Sequence, residues 1–317
     1  MRVAVGVDLG GTNLRAAVVT ETGEIKVSKN FRTPAHSTQA EALTVLEQAV
    51  RAVWQETGEE PEGLGLAVTG LLELEQGVVL ESANVPALEG APLGPYLSER
   101  LGMPVWLEND VRAATLGEAW FGAGRGADTM VVLLAGTGVG SGIMLGGKLW
   151  RGTTGTAGEI GPLLLAGRGL TSTWGQRGSL EALCSGPALM QTYDLLKQGL
   201  PLRGRVNSGL SAHHLAQAAA EGDLLARRVI VRGGRYLGRA VAAYVNIINP
   251  ELIIVGGGVT ALGELFWSGL ERGYREGVLP LPAAACNVVP AALGSNAGLI
   301  GAGAMVFRHR AAERFWL

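Results

Sequence analysis

Several short segments hold residues whose types and spacing could do chemistry. In DLGGTN (8–13) a carboxylate ends an apolar run and two glycines open a turn, so backbone N–H groups can approach an anion with no Cβ in the way. Asp8 could hold Mg²⁺ through water there, because that ion keeps several waters and takes one or two carboxylates beside phosphate oxygens. AGTGVGSG (135–142) offers a second run of N–H donors and the Thr137 hydroxyl, suited to the outer phosphates of a nucleotide. An ordinary hairpin turn accounts for either segment taken alone, but two such loops, each after a buried strand, favour a phosphate held between lobes. No G-x-x-x-x-G-K-[ST] occurs, which excludes a P-loop NTPase.

In IIVGGGVTA (253–261), Gly256, Gly258 and Ala261 match the dinucleotide fingerprint G-x-G-x-x-A. Glu276 stands at the spacing that the fingerprint requires, yet no clear second strand delivers it and the unit comes last in the chain. These glycines are read as packing close to an adenosine rather than as an NAD site. WLENDVRAA (106–114) puts Asn109 and Asp110 where a strand gives way to a helix. A carboxylate there can accept a hydroxyl proton, and Asn and Asp are equally the preferred helix N-caps, so either residue could cap while the other reacts. Glu159 in AGEIG and Glu181 in GSLEAL each stand near glycine. Carboxylates grip sugar hydroxyls, but by residue type alone both glutamates read as solvated surface charge. His36, His213, His214 and His309 show no metal spacing and no nucleophile partner.

The elements that must position these groups follow from periodicity. Strands are expected over 3–8, 14–20 and 24–31 as a meander, and a helix over 38–57, where apolar residues recur at helical spacing before Gly58. Strands over 64–70 and 104–110 flank a proline-rich loop with a short helix. A helix then runs to Gly122, followed by a second hairpin over 130–150 and a glycine-rich loop over roughly 152–178. Mostly helix is expected to about residue 248, then the strand ELIIVGGG and helical segments around 260–276 and 296–311. Apolar strand, Gly/Thr turn and apolar strand occur in both halves, the weak self-similarity of two related lobes.

Composition narrows the class. The chain has 317 residues, 47% of them hydrophobic and 17% charged, enough for two lobes and too apolar for a disordered chain. The formal charge is −2 and no Lys/Arg block occurs, which argues against nucleic acid or an anionic membrane as a partner. Cys184 and Cys286 form no C-x-x-C pair, no signal peptide is apparent, and glycines break the most apolar later stretch, so a soluble protein of the reducing cytoplasm is expected.

Read in order, VDLGGTN (7–13), SANVPALEGAPL (82–93), LENDVRAATLGE (107–118), LLAGTGVGSGI (133–143), GTAGEIG (155–161), GSLEALCSG (178–186) and NPELIIVGGG (249–258) resemble the ROK family of sugar kinases and repressors, most closely its bacterial glucokinases. The resemblance spans nearly the whole chain. It implies an α/β protein of two ribonuclease-H-like lobes in the actin/hexokinase-like fold, 1–115 and 116–299, with a C-terminal helix at 300–317 available to complete the first. It also implies ATP and a hexose, glucose first, meeting in the cleft between lobes. Asp8, Gly10, Gly11, Thr12, Gly136, Thr137 and Gly138 correspond to phosphate-binding positions, with Mg²⁺ at Asp8 through water, and Gly256 and Gly257 to the nucleoside side. Asn84, Asn109, Asp110, Glu159 and Glu181 correspond to sugar-contacting positions, and Asp110 to the general base.

The family's repressors carry a DNA-binding domain ahead of the DLGGT segment. Asp8 lies close to the first residue here, so a kinase is expected rather than a repressor; other hexoses, or a non-catalytic sugar binder, are the alternatives. A homodimer or homotetramer is implied. One departure is sharp. The family's structural zinc is held by the histidine of G-x-x-G-H and the three cysteines of C-x-C-G-x-x-G-C-x-E, and those positions read Pro162, Ser172, Trp174 and Ser179. No zinc is expected, and the loop should be held by packing, with Trp174 and Pro162 in the metal's place.

Overall fold

The computed structural model describes residues 1–82 and 85–309. Its strands are β1 (Val3–Leu9), β2 (Asn13–Thr20), β3 (Ile25–Arg32), β4 (Leu64–Val68), β5 (Leu71–Glu73), β6 (Val78–Glu81), β7 (Val105–Asn109), β8 (Met130–Ala135), β9 (Val139–Leu145), β10 (Lys148–Trp150), β11 (Leu252–Gly256) and β12 (Asn287–Pro290). The helices are α1 (Gln39–Thr57), α2 (Leu93–Leu101), α3 (Asp110–Phe121), α4 (Leu180–Cys184), α5 (Gly186–Lys197), α6 (His213–Ala220), α7 (Leu224–Ile248), α8 (Glu264–Gly277), α9 (Pro280–Ala285) and α10 (Ala297–His309).

Two five-stranded sheets result, in the orders β3-β2-β1-β4-β7 and β10-β9-β8-β11-β12. In each, an antiparallel meander of three strands is extended by two parallel strands on the side of its first strand. β4 is buried at every position, as expected of a central strand covered on both faces, whereas β3 at the edge alternates between half-buried and exposed residues. Local chemistry sets the helix ends. Thr38 and Glu41 form a reciprocal capping box at the start of α1, and Gly58 ends it at φ 65°.

The two sheets share a seam of packing. α10 follows the second sheet in sequence but lies on the first: Cβ atoms at Gly6 of β1 and Gly65 of β4 would run into the carbonyls of Leu299 and Ala302. It also crosses α3 with backbone touching backbone, Gly301 at the Ala113 carbonyl and Gly117 at that of Ala297. A common core joins Ala67, Ala113, Leu116, Met130, Val132, Met144, Ile254, Ala302 and Met305 across both lobes. In the second lobe α7 and α8 meet as closely, because Gly234 and Gly238 face the carbonyls of Phe266 and Leu270 while Gly269 and Gly273 face those of Val231 and Arg235.

The meander, α1, α3 and the second hairpin lie where periodicity puts them. The β5–β6 hairpin, β10, α9 and β12 were not anticipated. They are short, and β12 is a half-exposed edge strand that ends in proline. The part of the expected C-terminal helix beyond residue 309 lies outside the described residues. Among the described residues, no helix is long and apolar enough to cross a membrane.

Candidate active site

The parallel strands of the first sheet end in register, Leu9 opposite Val68 and Val68 opposite Asn109, and the candidate groups collect at this C-terminal edge. Such an edge is where open α/β sheets bind ligands. Asn109 is the N-cap of α3, its side-chain oxygen accepting from the N–H groups of Val111 at 3.1 Å and Arg112 at 3.3 Å. Its amide donates to the Gly70 carbonyl at 3.3 Å. The cap is therefore Asn109, and Asp110 starts the helix with one carboxylate oxygen on the Val111 N–H at 2.9 Å. Burial raises the Asp110 carboxyl above the usual range, against the pull of the Val111 N–H and the Arg112 cation. Asn84, the other amide expected at the sugar, lies outside the described residues.

Asp8 sits opposite Arg15 in the β1–β2 pair and against Gly298 in the first turn of α10, where a Cβ would stand 3.2 Å from its carboxylate. Desolvation first, then the negative charge of Asp110, push its pKa up to about 6, with Arg15 opposing. Two carboxylates thus stand at one edge, with Arg15 and Arg112 offsetting the cost of their charges only in part, which is the donor chemistry that a hydrated Mg²⁺ suits. Gly10 closes the turn by donating to the Asn13 carbonyl at 3.0 Å, and its own carbonyl accepts from the Thr33 hydroxyl at 2.7 Å. Gly11 and Thr12 at the tip are exposed.

The second turn is tighter by one residue. The Gly136 N–H donates to the Gly138 carbonyl at 2.9 Å, and the Thr137 side chain between them is exposed. A Cβ at Gly136 would stand 3.9 Å from the Gly258 nitrogen, so this turn and the glycine run after β11 adjoin. Gly257 has φ 90° and would carry a Cβ into Ala135, two reasons for glycine at one position. Gly256 is buried at the end of β11, where a Cβ would meet Ala291.

Glu181 is 5% exposed, which corrects its reading as a solvated charge. One carboxylate oxygen accepts from the Thr173 hydroxyl at 2.7 Å and the other from the Val139 N–H at 3.4 Å, tying α4 to the second glycine turn. Glu159 is exposed, yet partial desolvation still raises its pKa, helped by the charges of Asp110 and Glu181 and opposed by Arg112. The backbone beside it is fixed, because the Gly158 carbonyl accepts from the Ser141 hydroxyl at 2.6 Å and the Ser141 N–H at 3.1 Å.

The loop over 162–179 is packed as expected, with Leu163 and Leu165 against the core of the second sheet and Leu170 buried beside Ala182, Ala188 and Val206, but the tryptophan takes no part in it. Trp174 is 44% exposed and fills no metal's place. The bend closes instead through hydrogen bonds among Ser172, Gln176 and Ser179, including Ser172 N–H to the Gln176 carbonyl at 2.9 Å and the Ser172 hydroxyl to Gln176 Oε1 at 3.0 Å. With serine, tryptophan and proline at the ligand positions, these residues do not fit zinc. The described residues contain no group of three or more His, Cys, Asp or Glu side chains that could hold a metal.

Three groups escaped sequence reading. Glu108 is fully buried and pairs with Arg112 and Arg151, each at 2.7 Å. Glu118, also buried, accepts from the N–H groups of Ala123, Ala292 and Leu293. Arg15 grips the Ser295 carbonyl and the Asn296 side chain at the approach to α10. Only the first left a trace, an acid and a base four residues apart across a strand-to-helix junction.

Paired sheets of this topology, with glycine turns at their facing edges, define an actin/hexokinase-like protein. The ROK family model matches residues 4–309, and the chain belongs to the ROK family. It is 35% identical over 308 residues to a glucokinase of Thermotoga maritima, covering 95% of this chain and 96% of that one. The crystal structure of a ROK hexokinase from Thermus thermophilus superposes with a TM-score of 0.83 at 31% identity, covering 98% of this chain and 100% of the other. That of a ROK family glucokinase from Streptomyces griseus, in complex with glucose and AMPPNP, does so with a TM-score of 0.81 at 31% identity over 96% of this chain and 99% of the other.

Proposed function

We propose that this protein is an ATP-dependent hexose kinase acting on glucose at its 6-hydroxyl, with the cleft between lobe 1–115, completed by α10, and lobe 116–299. The observation that carries the reading is the meeting of Asp8 and Asp110 at the strand ends of the first sheet, with the second hairpin against them, where a Cβ at Gly140 would stand 2.9 Å from Val111 beside Asp110. The relatives named above support glucose and ATP. Asp110 takes the proton of the attacking hydroxyl as the sugar oxygen bonds to the γ-phosphorus and the bond to the departing ADP breaks. Asn109, held as the cap, and Glu159 and Glu181 orient the sugar, with Asn84 assigned to the same task. Gly10 and Gly136 close the two turns, which leaves the backbone N–H groups of Gly11, Thr12, Thr137 and Gly138 to face the phosphates, and Gly256 and Gly257 leave room for the nucleoside. Asp8 would hold Mg²⁺ through water, and the ion would supply charge neutralisation at the phosphates. A coupled ADP-release assay across glucose, mannose, fructose, allose and the N-acetylated hexosamines tests this. Highest kcat/KM on glucose is expected, and ADP release that no hexose stimulates would end the kinase reading.

A further inference from the structure

The Glu108 cluster stands in an unfavourable place. Arg112 is the third residue of α3, near the positive end of the helix dipole, and its side chain is only 3% exposed. A cation buried there is costly unless paired, and a well-packed apolar pair would often serve stability as well. Glu108 provides the pairing at the end of β7. Its Oε1 accepts from Arg112 Nε at 2.7 Å and the Asn109 N–H at 3.0 Å, and its Oε2 from Arg151 Nε at 2.7 Å. One carboxylate therefore touches the residue before Asp110, the helix that Asp110 begins and the residue that follows β10.

Arg151 is where the glycine-rich loop departs. Its carbonyl accepts from the Ala157 N–H at 3.0 Å, closing the turn that leads to Glu159. Beyond that turn, the carbonyl of Gly158 is held by Ser141. The segment before Glu159 thus has two anchors, one on β9 within its own lobe and one on Glu108 in the other. We propose that Arg151 is a positioning residue: pinned to the buried Glu108 carboxylate, it sets the loop that carries Glu159 in register with Asp110 across the cleft. This rests on the kinase reading, since it gives Glu159 a sugar to meet.

Arg151 is 33% exposed, so its replacement spares the core, unlike that of Glu108. In Arg151→Gln the sugar KM should rise about tenfold or more while the KM for ATP stays within about twofold, since a loosened loop misplaces one ligand only. Arg151→Lys should fall between, because an ammonium can reach one carboxylate oxygen without the guanidinium's fixed planar fork. Hydrogen exchange of the ligand-free protein gives a readout independent of activity: amides over 152–158 should exchange about tenfold faster in Arg151→Gln than in the unaltered chain. Unchanged exchange there, or equal rises in both KM values, overturns the proposal. If the unaltered chain phosphorylates no hexose, the kinase reading fails by itself and the exchange measurement still decides whether Arg151 anchors the loop.

Discussion

The two lobes share one sheet topology and load it differently. In the first, β1 carries the Asp8 carboxylate one residue before its end and β7 runs into α3 through Asn109 and Asp110. In the second, the equivalent β8 ends in Ala135 before a Gly-Thr-Gly turn, and β12 leads by way of a short helical turn into α10, which opens with Ala297 and Gly298. Acidic groups at one edge therefore face small, uncharged residues at the other. On the kinase reading proposed above, a repeated scaffold divides proton and metal handling from nucleotide packing by a difference in its strand ends. The equivalent helices α3 and α10 cross each other, so each lobe's closing helix also belongs to the seam between them.

The largest effect should come from the acidic lobe. Asp110→Asn keeps the acceptor for the Val111 N–H and leaves Asn109 as cap, so melting temperature should hold while kcat falls about 10²–10⁴-fold, or about 3–5 kcal/mol. Lost stability with turnover retained would reduce Asp110 to a structural residue and erase the contrast between lobes. Gly301→Ala tests the seam by driving a Cβ into the Ala113 carbonyl, and a loss of about 3 kcal/mol or more is expected in denaturant unfolding. A neutral result would mean that the helices part easily.

Asp8 should give a smaller, pH-dependent effect. In the fold it titrates near 6 rather than 3.8, so above that pH its charge destabilises the ligand-free protein, and protonation relieves the cost as pH falls. Asp8→Asn should then be more stable by about 1–2 kcal/mol near pH 8, an advantage that shrinks as pH drops through about 6. Thermal melts across that range, with no magnesium present, check the sign. Calorimetry should show glucose binding retained and magnesium nucleotide binding lost. The smallest effect expected is none at all: a chelator should leave the melting temperature unchanged, because Ser172, Gln176 and Ser179 close the bend without a metal. Stoichiometric zinc at that loop in elemental analysis would break this expectation.

Periodicity and turn chemistry made the meander, α1, α3 and the second hairpin legible, since each is long enough for its repeat to show. Asn109 and Asp110 were legible as a pair but not in their division of labour, which depends on which side chain turns back to the free N–H groups. Glu181 was misread because residue type does not report burial. Arg151 lies 43 residues from Glu108, and Arg15 lies 280 from Ser295, so no local pattern could join them. The bend over 172–179 was misjudged for a related reason: a tryptophan suggests packing, whereas the serines and a glutamine do the closing.

The contact between α7 and α8 has a consequence for what variation this chain can carry. At Gly234, Gly238, Gly269 and Gly273 the neighbouring carbonyl occupies the space of even one methyl group, and the donor of that carbonyl is itself helical backbone that cannot turn aside. A library covering every substitution, sorted only for folded protein, should leave these four positions nearly invariant while the arginines on the outer faces of the same helices drift. Their intolerance would look like that of a catalytic residue, although none of them need touch a ligand.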